Sequence, residues 1–149
     1  MTAIKMMAVG RKLANVYSGL SLPICKKYGI NQSCFDVLMF CANNPEYNTA
    51  RDICAVRGIK SGIASVAVET LIKKDLLVRR DDTSDRRIRR LYPTEKADSI
   101  IADGRKMQNN FAAALRKGIT AEEEEIVERV NEKLLENIML FASEDKECL

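Results

Sequence analysis

The feature that most limits the possible folds is a basic, β-prone segment near the middle of the chain. Residues 76–80 and 86–92 are rich in apolar side chains and arginine, and they enclose the polar run 81–85. Two short β-prone runs around a turn-prone segment predict an antiparallel hairpin. Six arginines lie on or beside it, which is more than the protection of an exposed strand edge requires. The hairpin is therefore expected to bind an anionic partner.

Two short helices are predicted directly before this hairpin. Thr49 and Asp52 have the spacing of a capping box, and the helix that they open is expected to end at Gly58, a residue type suited to the left-handed position after a helix. A second helix is expected from Ser61 to about Lys74. Its core-facing positions are Ala64, Val68 and Leu71. Two short helices around a glycine-containing turn form a helix-turn-helix candidate, to which the hairpin adds a wing.

Further helices are predicted on the N-terminal side of this lobe. Apolar residues at helical spacing predict a first helix that Pro23 ends or kinks, with residues 28–30 as the connection. Asn31 is a suitable N-cap for a second helix, which residues 43–45 stop.

Two long helices are predicted on the C-terminal side. Thr94 is expected to cap a helix over residues 95–117, and Thr120 with Glu123 forms a capping box for the last helix. An apolar stripe then follows at intervals of three or four residues, at Val127, Val130, Leu134, Ile138 and Phe141. Such a stripe needs a partner surface, which the first helix of the same chain or of a second chain can supply.

The predicted fold class is therefore mainly α, with an α+β lobe. Residues 1–30 are expected to form an N-terminal dimerisation helix with its connection. Residues 31–94 are expected to form a winged helix-turn-helix lobe with a two-stranded wing. Residues 95–149 are expected to form C-terminal dimerisation helices.

The residue types that are missing argue against catalysis. The chain has no histidine, which removes the commonest general base and the usual metal ligand. Its five cysteines are odd in number and form no CxxC pair, so neither a disulfide framework nor a thiolate zinc site is expected. We expect no enzyme activity, no cofactor and no metal. The cysteines are expected to be core residues, with redox sensing as the alternative: Cys25, Cys34, Cys41, Cys54 and Cys148.

Charge is distributed unevenly along the chain. Residues 51–96 contain 12 Lys/Arg against 7 Asp/Glu, whereas residues 120–149 contain 3 against 10. A basic middle and an acidic end predict a localised anion-binding surface. No secretory-type start and no apolar run of membrane-spanning length are present in the sequence, so a soluble cytoplasmic protein without membrane contact is expected.

The anion is expected to be double-stranded DNA. In the hairpin, Arg86 and Arg87 are candidates for phosphate or minor-groove contacts, with Asp85 orienting one of them. The alternative is a merely solvated hairpin. On the second helix, Ile63 and Val66 either contact bases or pack under a neighbouring element. The full set of candidate DNA-binding residues is Lys60, Ser61, Ile63, Ser65, Val66, Glu69, Arg79, Arg86, Arg87 and Arg89.

Residues 82–87 (DTSDRR) and 91–97 (LYPTEKA) resemble the wing signature of the MarR family of regulators. That family carries an acidic-x-x-Asp-Arg-Arg pattern followed by a Leu-x-Leu-Thr-x-x-Gly entry into a long helix. The resemblance in element order extends over nearly the whole chain. It departs from the pattern where many members carry glycine, arginine, leucine and glycine, at Asp75, Ser84, Pro93 and Ala97.

This resemblance implies a homodimeric transcriptional regulator, a repressor rather than an activator, on a pseudo-palindromic operator. Many members release DNA when a small, often phenolic, molecule binds, and others respond to cysteine oxidation. The residues expected to line such an effector pocket, unless they are ordinary core and interface residues, are Tyr17, Tyr28, Phe35 and Met39. The alternative function is a winged-helix protein–protein interaction module without DNA binding.

Overall fold

Six α-helices, one short 3₁₀ turn and a two-stranded sheet follow one another in residues 2–144, the part of the chain that the computed structural model describes. The helices are α1 (Ala3–Tyr28), α2 (Gln32–Asn43), α3 (Ala50–Arg57), α4 (Ser61–Lys73), α5 (Asp98–Arg116) and α6 (Ala121–Glu144). The strands are β1 (Leu77–Asp81) and β2 (Arg89–Pro93). The chain divides into two compact units, one up to Phe111 and one from Ala112 onward. No helix within residues 2–144 is long and apolar enough to cross a membrane.

The predicted limits of the helix-turn-helix are confirmed. The Asn31 side chain accepts a 2.8 Å hydrogen bond from the Cys34 amide at the start of α2. At the start of α3, Thr49 Oγ1 accepts from the Asp52 amide while Asp52 Oδ2 accepts from the Thr49 amide, both at 3.1 Å. Gly58 follows α3 in the left-handed conformation with φ of 71°, which suits a residue without Cβ.

The sequence pattern predicts that Pro23 ends or kinks the first helix, but Pro23 does not end it. Helix α1 continues through it to Tyr28 and ends at Gly29, whose φ is 63°. A proline inside a helix removes one backbone donor. The turn that follows nevertheless packs against the core through Ile24, Cys25 and Tyr28. This apolar burial opposes the break and keeps the last turn helical.

The second strand of the hairpin begins later than the sequence pattern predicts. The register pairs Leu77 with Pro93 and Asp81 with Arg89, so residues 86–88 belong to the turn and not to the strand. The carboxylate of Asp82 accepts hydrogen bonds from the Ser84 and Asp85 amides at 2.8 and 3.2 Å. Local side-chain bonds of this kind compete with a strand ladder, and here they hold the turn in place.

The core of the first unit lies around α2. Its largest fully buried side chains come from α2, α3, α4 and both strands: Phe35, Leu38, Met39, Ile53, Leu71, Leu77 and Leu91. Helix α5 packs against this centre at a glycine. A Cβ at Gly104 would lie 2.5 Å from Met39 Sδ and 3.2 Å from Phe35 Cε2, so the two helices approach too closely for any larger residue without repacking.

The entry to α5 differs from the predicted cap. Thr94 makes no side-chain cap, and the 3₁₀ turn Glu95–Ala97 precedes α5. The Thr94 hydroxyl instead donates a 2.5 Å hydrogen bond to the Asp75 carbonyl oxygen, because the hairpin brings the ends of α4 and β2 together. Asp75 itself has a φ of 59° and is the only non-glycine residue with positive φ within residues 2–144.

We predict that Asp75→Ala destabilises the protein by about 1 kcal/mol, since alanine keeps the β-carbon that is disfavoured in the left-handed region and lacks the short polar side chain that makes aspartate tolerant of it. Asp75→Gly should cost less or be neutral, because glycine adopts that conformation freely. Both variants remove the same exposed ion pair, Lys96 to Asp75 at 3.8 Å, so their difference isolates the backbone effect. Urea unfolding measures both free energies. Equal stability of the two variants would contradict the strain assignment.

Candidate nucleic-acid interface

The outward face of α4 carries the residues that the sequence placed there. Ser61, Ser65 and Glu69 are exposed, while Ala64, Val68 and Leu71 are buried as predicted. Ile63 and Val66 are 48% and 67% exposed. No element of residues 2–144 therefore covers these two apolar side chains, and the interpretation that they pack under a neighbour in the same chain is wrong.

Glu69 and Arg79 bind each other, although the sequence suggested that each would contact DNA independently. Arg79 Nη2 donates to Glu69 Oε1 at 2.6 Å, and this bond holds the pKa of Glu69 below its usual value. The pair joins α4 to β1 and cancels most of the charge at the middle of the α4 face. Both side chains keep access to solvent, so the pair serves mainly to orient helix and wing, since exposed ion pairs contribute little stability.

The wing turn is organised by one carboxylate. Asp82 accepts from the Ser84 hydroxyl, from Arg90 Nε and from the amides of Ser84 and Asp85. These donors stabilise the ionised form and hold the pKa of Asp82 well below its usual value. The orienting role was predicted for Asp85 and not for Asp82, although the Asp-x-Ser spacing is a turn signal that indicates Asp82.

Arg90 fastens the wing to the helix-turn-helix. Besides its bond to Asp82, its Nη1 donates to Asn48 Oδ1 at 3.0 Å. The Asn48 carbonyl oxygen accepts from the Leu91 amide at 2.8 Å, and Thr49 forms an isolated bridge with Arg90. Asn48 is 1% exposed and directly precedes the α3 cap. These bonds therefore fix the position of the wing relative to the start of α3, and no spacing in the sequence indicates this contact.

The remaining arginines divide into paired and free groups. Arg89 lies 3.9 Å from Asp81, and the Arg80 guanidinium lies 5.4 Å from the centre of the Tyr92 ring. Arg86 and Arg87 are exposed at the wing turn and form no ion pair with any residue of the range 2–144. Asp85 does not pair with their guanidinium groups. Its carboxylate accepts from the Arg87 amide at 2.9 Å and so positions that backbone.

A groove of about 700 Å³ separates the wing from the start of α3. Its walls combine cations with Tyr47 and Ile88, which the sequence pattern did not indicate, and with two carboxylates. The cations are Arg51, Arg87, Arg89 and Arg90, and the carboxylates are Glu46 and Asp52. Arg87, one of the two free arginines of the wing, thus faces the same open space as Arg51 of α3, which suits a polyanion that runs along this side of the lobe.

The four residues expected to line an effector pocket lie near one another but differ in access. Phe35 and Met39 are fully buried in the core. Tyr17 is partly buried, and its hydroxyl accepts from Gln108 Nε2 at 2.7 Å, with burial raising its pKa. The Tyr28 hydroxyl donates to Asp103 Oδ2 at 2.9 Å. An effector can reach Phe35 and Met39 only if this packing opens, so the pocket stays a prediction.

The cysteines have the environment of core residues. Cys25, Cys34 and Cys41 are buried as free thiols, and Cys54 is partly buried. Burial raises the pKa of Cys25 and of Cys34, and raises that of Cys41 to about 12. Such thiols ionise poorly, and the thiolate is the reactive form. Cys148 lies outside the described residues.

A helix-turn-helix whose second helix is exposed, joined to an anchored two-stranded basic wing, defines a winged helix-turn-helix protein. Residues 28–88 match the MarR family. The transcription regulator MarR from Oenococcus oeni is 19% identical with a TM-score of 0.71, over 91% of this chain and 99% of that one. Over these residues the chain is similar to the MarR family, and it shares the winged helix-turn-helix fold of that regulator.

Two further solved structures share the fold. A MarR family transcriptional regulator from Listeria monocytogenes, complexed with 26mer DNA, is 19% identical with a TM-score of 0.73, over 93% of this chain and 89% of that one. CouR from Rhodococcus jostii, bound to p-coumaroyl-CoA, is 21% identical with a TM-score of 0.68, over 87% of this chain and 85% of that one. The shared architecture therefore extends beyond the lobe to most of the chain.

We predict that Asp82→Asn loosens the wing. Removal of the carboxylate breaks the pair with Arg90 and weakens the turn, so trypsin should cleave after Arg86 and Arg87 severalfold faster than in the wild type. Mass spectrometry of the early fragments measures this. Asp81→Asn is the matched control, because Asp81 has only the loose contact with Arg89. Unchanged cleavage in Asp82→Asn would show that the turn holds without its carboxylate.

The contribution of Asp82 should also depend on pH. Its folded pKa lies below the ordinary aspartate value of about 3.9, so its stabilising effect is present above that pH and is lost as pH falls below it. The Tm difference between wild type and Asp82→Asn should therefore be largest at neutral pH and shrink in acid. A difference that grows as pH falls would contradict this assignment. Differential scanning calorimetry over that range measures it.

Proposed function

We propose that this protein is a dimeric transcriptional regulator that binds double-stranded DNA at a pseudo-palindromic operator and acts as a repressor released by a small aromatic molecule. The observation that carries the DNA-binding part is the pair of free arginines, Arg86 and Arg87, on a wing that Arg90 anchors beside an exposed helix. The Listeria monocytogenes structure with the same fold was obtained with DNA, which supports this choice of partner.

In this proposal α4 enters a major groove while the wing contacts the adjacent backbone or minor groove. Lys60 and Ser61 are exposed at the start of α4, where a basic group and a hydroxyl suit phosphate contacts. The two α4 helices of a dimer would lie roughly 34 Å apart, one turn of duplex. A pseudo-palindromic operator follows from that symmetry.

Dimerisation is supported by the apolar residues that α1 and α6 each expose to solvent. Helix α1 exposes Ile4, Met7, Leu13, Val16 and Leu20. Helix α6 exposes Val127, Val130, Leu135, Ile138 and Phe141. Apolar surface of this extent on a water-exposed helix calls for a partner surface, and a second copy of the chain supplies the same helices by symmetry.

Release by a small aromatic molecule is supported by two observations. CouR, which has the same fold, was solved with p-coumaroyl-CoA bound. In this chain the aromatic residues Tyr17, Phe35 and Phe111 lie together, with ring centres 6.5 and 6.1 Å from Tyr17. A flat aromatic ligand inserted beside them would displace packing between α1, α2 and the first part of α5, and thus change the orientation of the lobe.

We predict that Arg86→Ala/Arg87→Ala weakens binding to a duplex from the region upstream of the gene for this protein. The slope of log affinity against log salt should become shallower by about 0.9 for each phosphate that the variant no longer neutralises. Fluorescence anisotropy against that duplex and a scrambled one, at several salt concentrations, measures both effects. Arg11→Ala/Lys12→Ala removes the same charge from α1 and serves as the control. Feeble binding to both duplexes, unchanged by the wing variant, would favour the protein-interaction module instead.

We also predict that Ile138→Asp/Phe141→Asp converts a dimer into a monomer at micromolar concentration. Charged side chains cannot be buried at an apolar interface without a partner. Light scattering after size-exclusion chromatography measures the mass. Glu136→Ala, a change at a polar position of the same helix, should leave the dimer intact. A wild-type protein that is monomeric under these conditions would overturn the dimer model.

A further inference from the structure

Before its last residue, Lys73, helix α4 has no side chain of the types that form bidentate bonds with guanine or adenine. Between Ser61 and Lys73 there is no arginine, asparagine or glutamine, and the only lysine is the last residue. Arginine and lysine recognise guanine in this way, and asparagine and glutamine recognise adenine. If α4 is the element in the major groove, sequence must be recognised by other means.

Two polar side chains near the centre of α4, Glu69 and Thr70, are already occupied. Arg79 donates to Glu69 at 2.6 Å, and the Thr70 hydroxyl donates to the Val66 carbonyl oxygen at 2.7 Å. Apart from the exposed hydroxyl of Ser65, what α4 presents outward at its centre is therefore apolar. Val66 is 67% exposed and Ile63 48% exposed. The other aliphatic side chains of α4 are buried or, for Ile72, partly buried, so two exposed ones on the outward side call for an apolar contact with a partner.

Gly62 adds an independent observation. It lies four residues before Val66, so both occupy one helix face, and a Cβ built there meets nothing within 4 Å. Packing inside the chain therefore does not require glycine, and glycine weakens a helix relative to alanine. The absence of a side chain lets the α4 backbone approach a surface outside the chain closely.

The charges around this apolar patch select its occupant. Lys60 precedes α4, Lys73 ends it, and both are exposed, while the wing adds the free cations Arg86 and Arg87. An apolar centre within a cationic surround fits the major groove of duplex DNA, where thymine carries the only methyl group. A protein partner would have to carry acidic groups placed around an apolar centre, whereas every duplex carries phosphates along both sides of its major groove.

We propose that Val66 and Ile63 recognise thymine 5-methyl groups in the major groove, with Gly62 permitting the close approach. This inference rests on the proposed function and names the chemistry by which the operator is selected. Each operator half-site then carries thymines at the positions that face these two side chains. The wing supplies affinity through phosphates, and α4 supplies discrimination through methyl contacts.

The test begins with selection of tight-binding duplexes from a random-sequence library by the wild-type protein. Each thymine of the selected half-site is then replaced by deoxyuridine, which lacks only the methyl group. Removal of one methyl that the protein buries should weaken wild-type binding about fourfold, from about 0.8 kcal/mol per buried carbon. Fluorescence anisotropy at one fixed salt concentration measures the ratio of the two affinities.

Variants of α4 show which side chain is responsible for the ratio of the affinities for thymine and deoxyuridine duplexes. Val66→Ala and Ile63→Ala should each abolish the thymine preference at one position of the half-site, so that thymine and deoxyuridine duplexes bind equally there. This is a double-mutant cycle between a side chain and a methyl group. Val56→Ala is the matched control, because Val56 is a 61% exposed valine on α3 and its removal should leave the preference intact. Gly62→Ala should weaken both duplexes, with the circular dichroism of the protein unchanged.

The outcomes separate the two proposals. Selection that enriches no sequence overturns sequence-specific DNA binding and this inference with it. Specific binding that is indifferent to deoxyuridine overturns the methyl contacts and leaves the proposed function standing. A thymine preference that persists in the Ile63→Ala/Val66→Ala protein shows that other groups detect the methyl, and also overturns the inference. A preference that disappears in these variants and persists in Val56→Ala supports it.

Discussion

The arrangement of the winged helix-turn-helix lobe depends on one ionic contact at the base of the wing. Asp82 closes the wing turn with its carboxylate and pairs with Arg90, which in turn donates to buried Asn48 before α3. Charge-assisted hydrogen bonds are stronger than neutral ones, and this set joins the turn, the second strand and the helix-turn-helix. Together with the Glu69–Arg79 pair between α4 and β1, this set fixes where the wing and its free arginines lie relative to α4.

The arginines of the wing illustrate how one residue type takes different roles within a few positions. Arg79 and Arg90 are held by Glu69 and Asp82, so they stabilise the geometry of the lobe more than they supply charge to a ligand. Arg86 and Arg87 have no such partner within the described chain and supply the positive potential. This division explains how a strongly basic hairpin can also be a defined structure, since unpaired like charges alone would repel one another.

The first helix is tied to the lobe by polar contacts that cross long stretches of sequence. Ser21 on α1 donates to Gln32 at 2.7 Å, and Lys27 and Tyr28 donate to Asp103 on α5 at 2.8 and 2.9 Å. These bonds connect the helix proposed to dimerise with the elements that carry α4. A shift of α1 against α5 would thus change the position of the lobe that carries α4. Such coupling is required if an effector bound near α1 and α5 is to control the proposed DNA binding.

The sequence by itself determined the local structure of this protein. The caps at Asn31 and Thr49, the left-handed Gly58 and the buried stripe of α4 depend on neighbours within a few residues, and the structure bears them out. Tertiary structure decided the rest. Packing against the core keeps α1 helical beyond Pro23. The hairpin places the Thr94 hydroxyl within hydrogen-bond distance of the Asp75 carbonyl oxygen. Asn48 and Arg90, 42 residues apart in the sequence, form a hydrogen bond. Contacts between distant segments depend on how the chain folds back, which propensity and spacing do not encode.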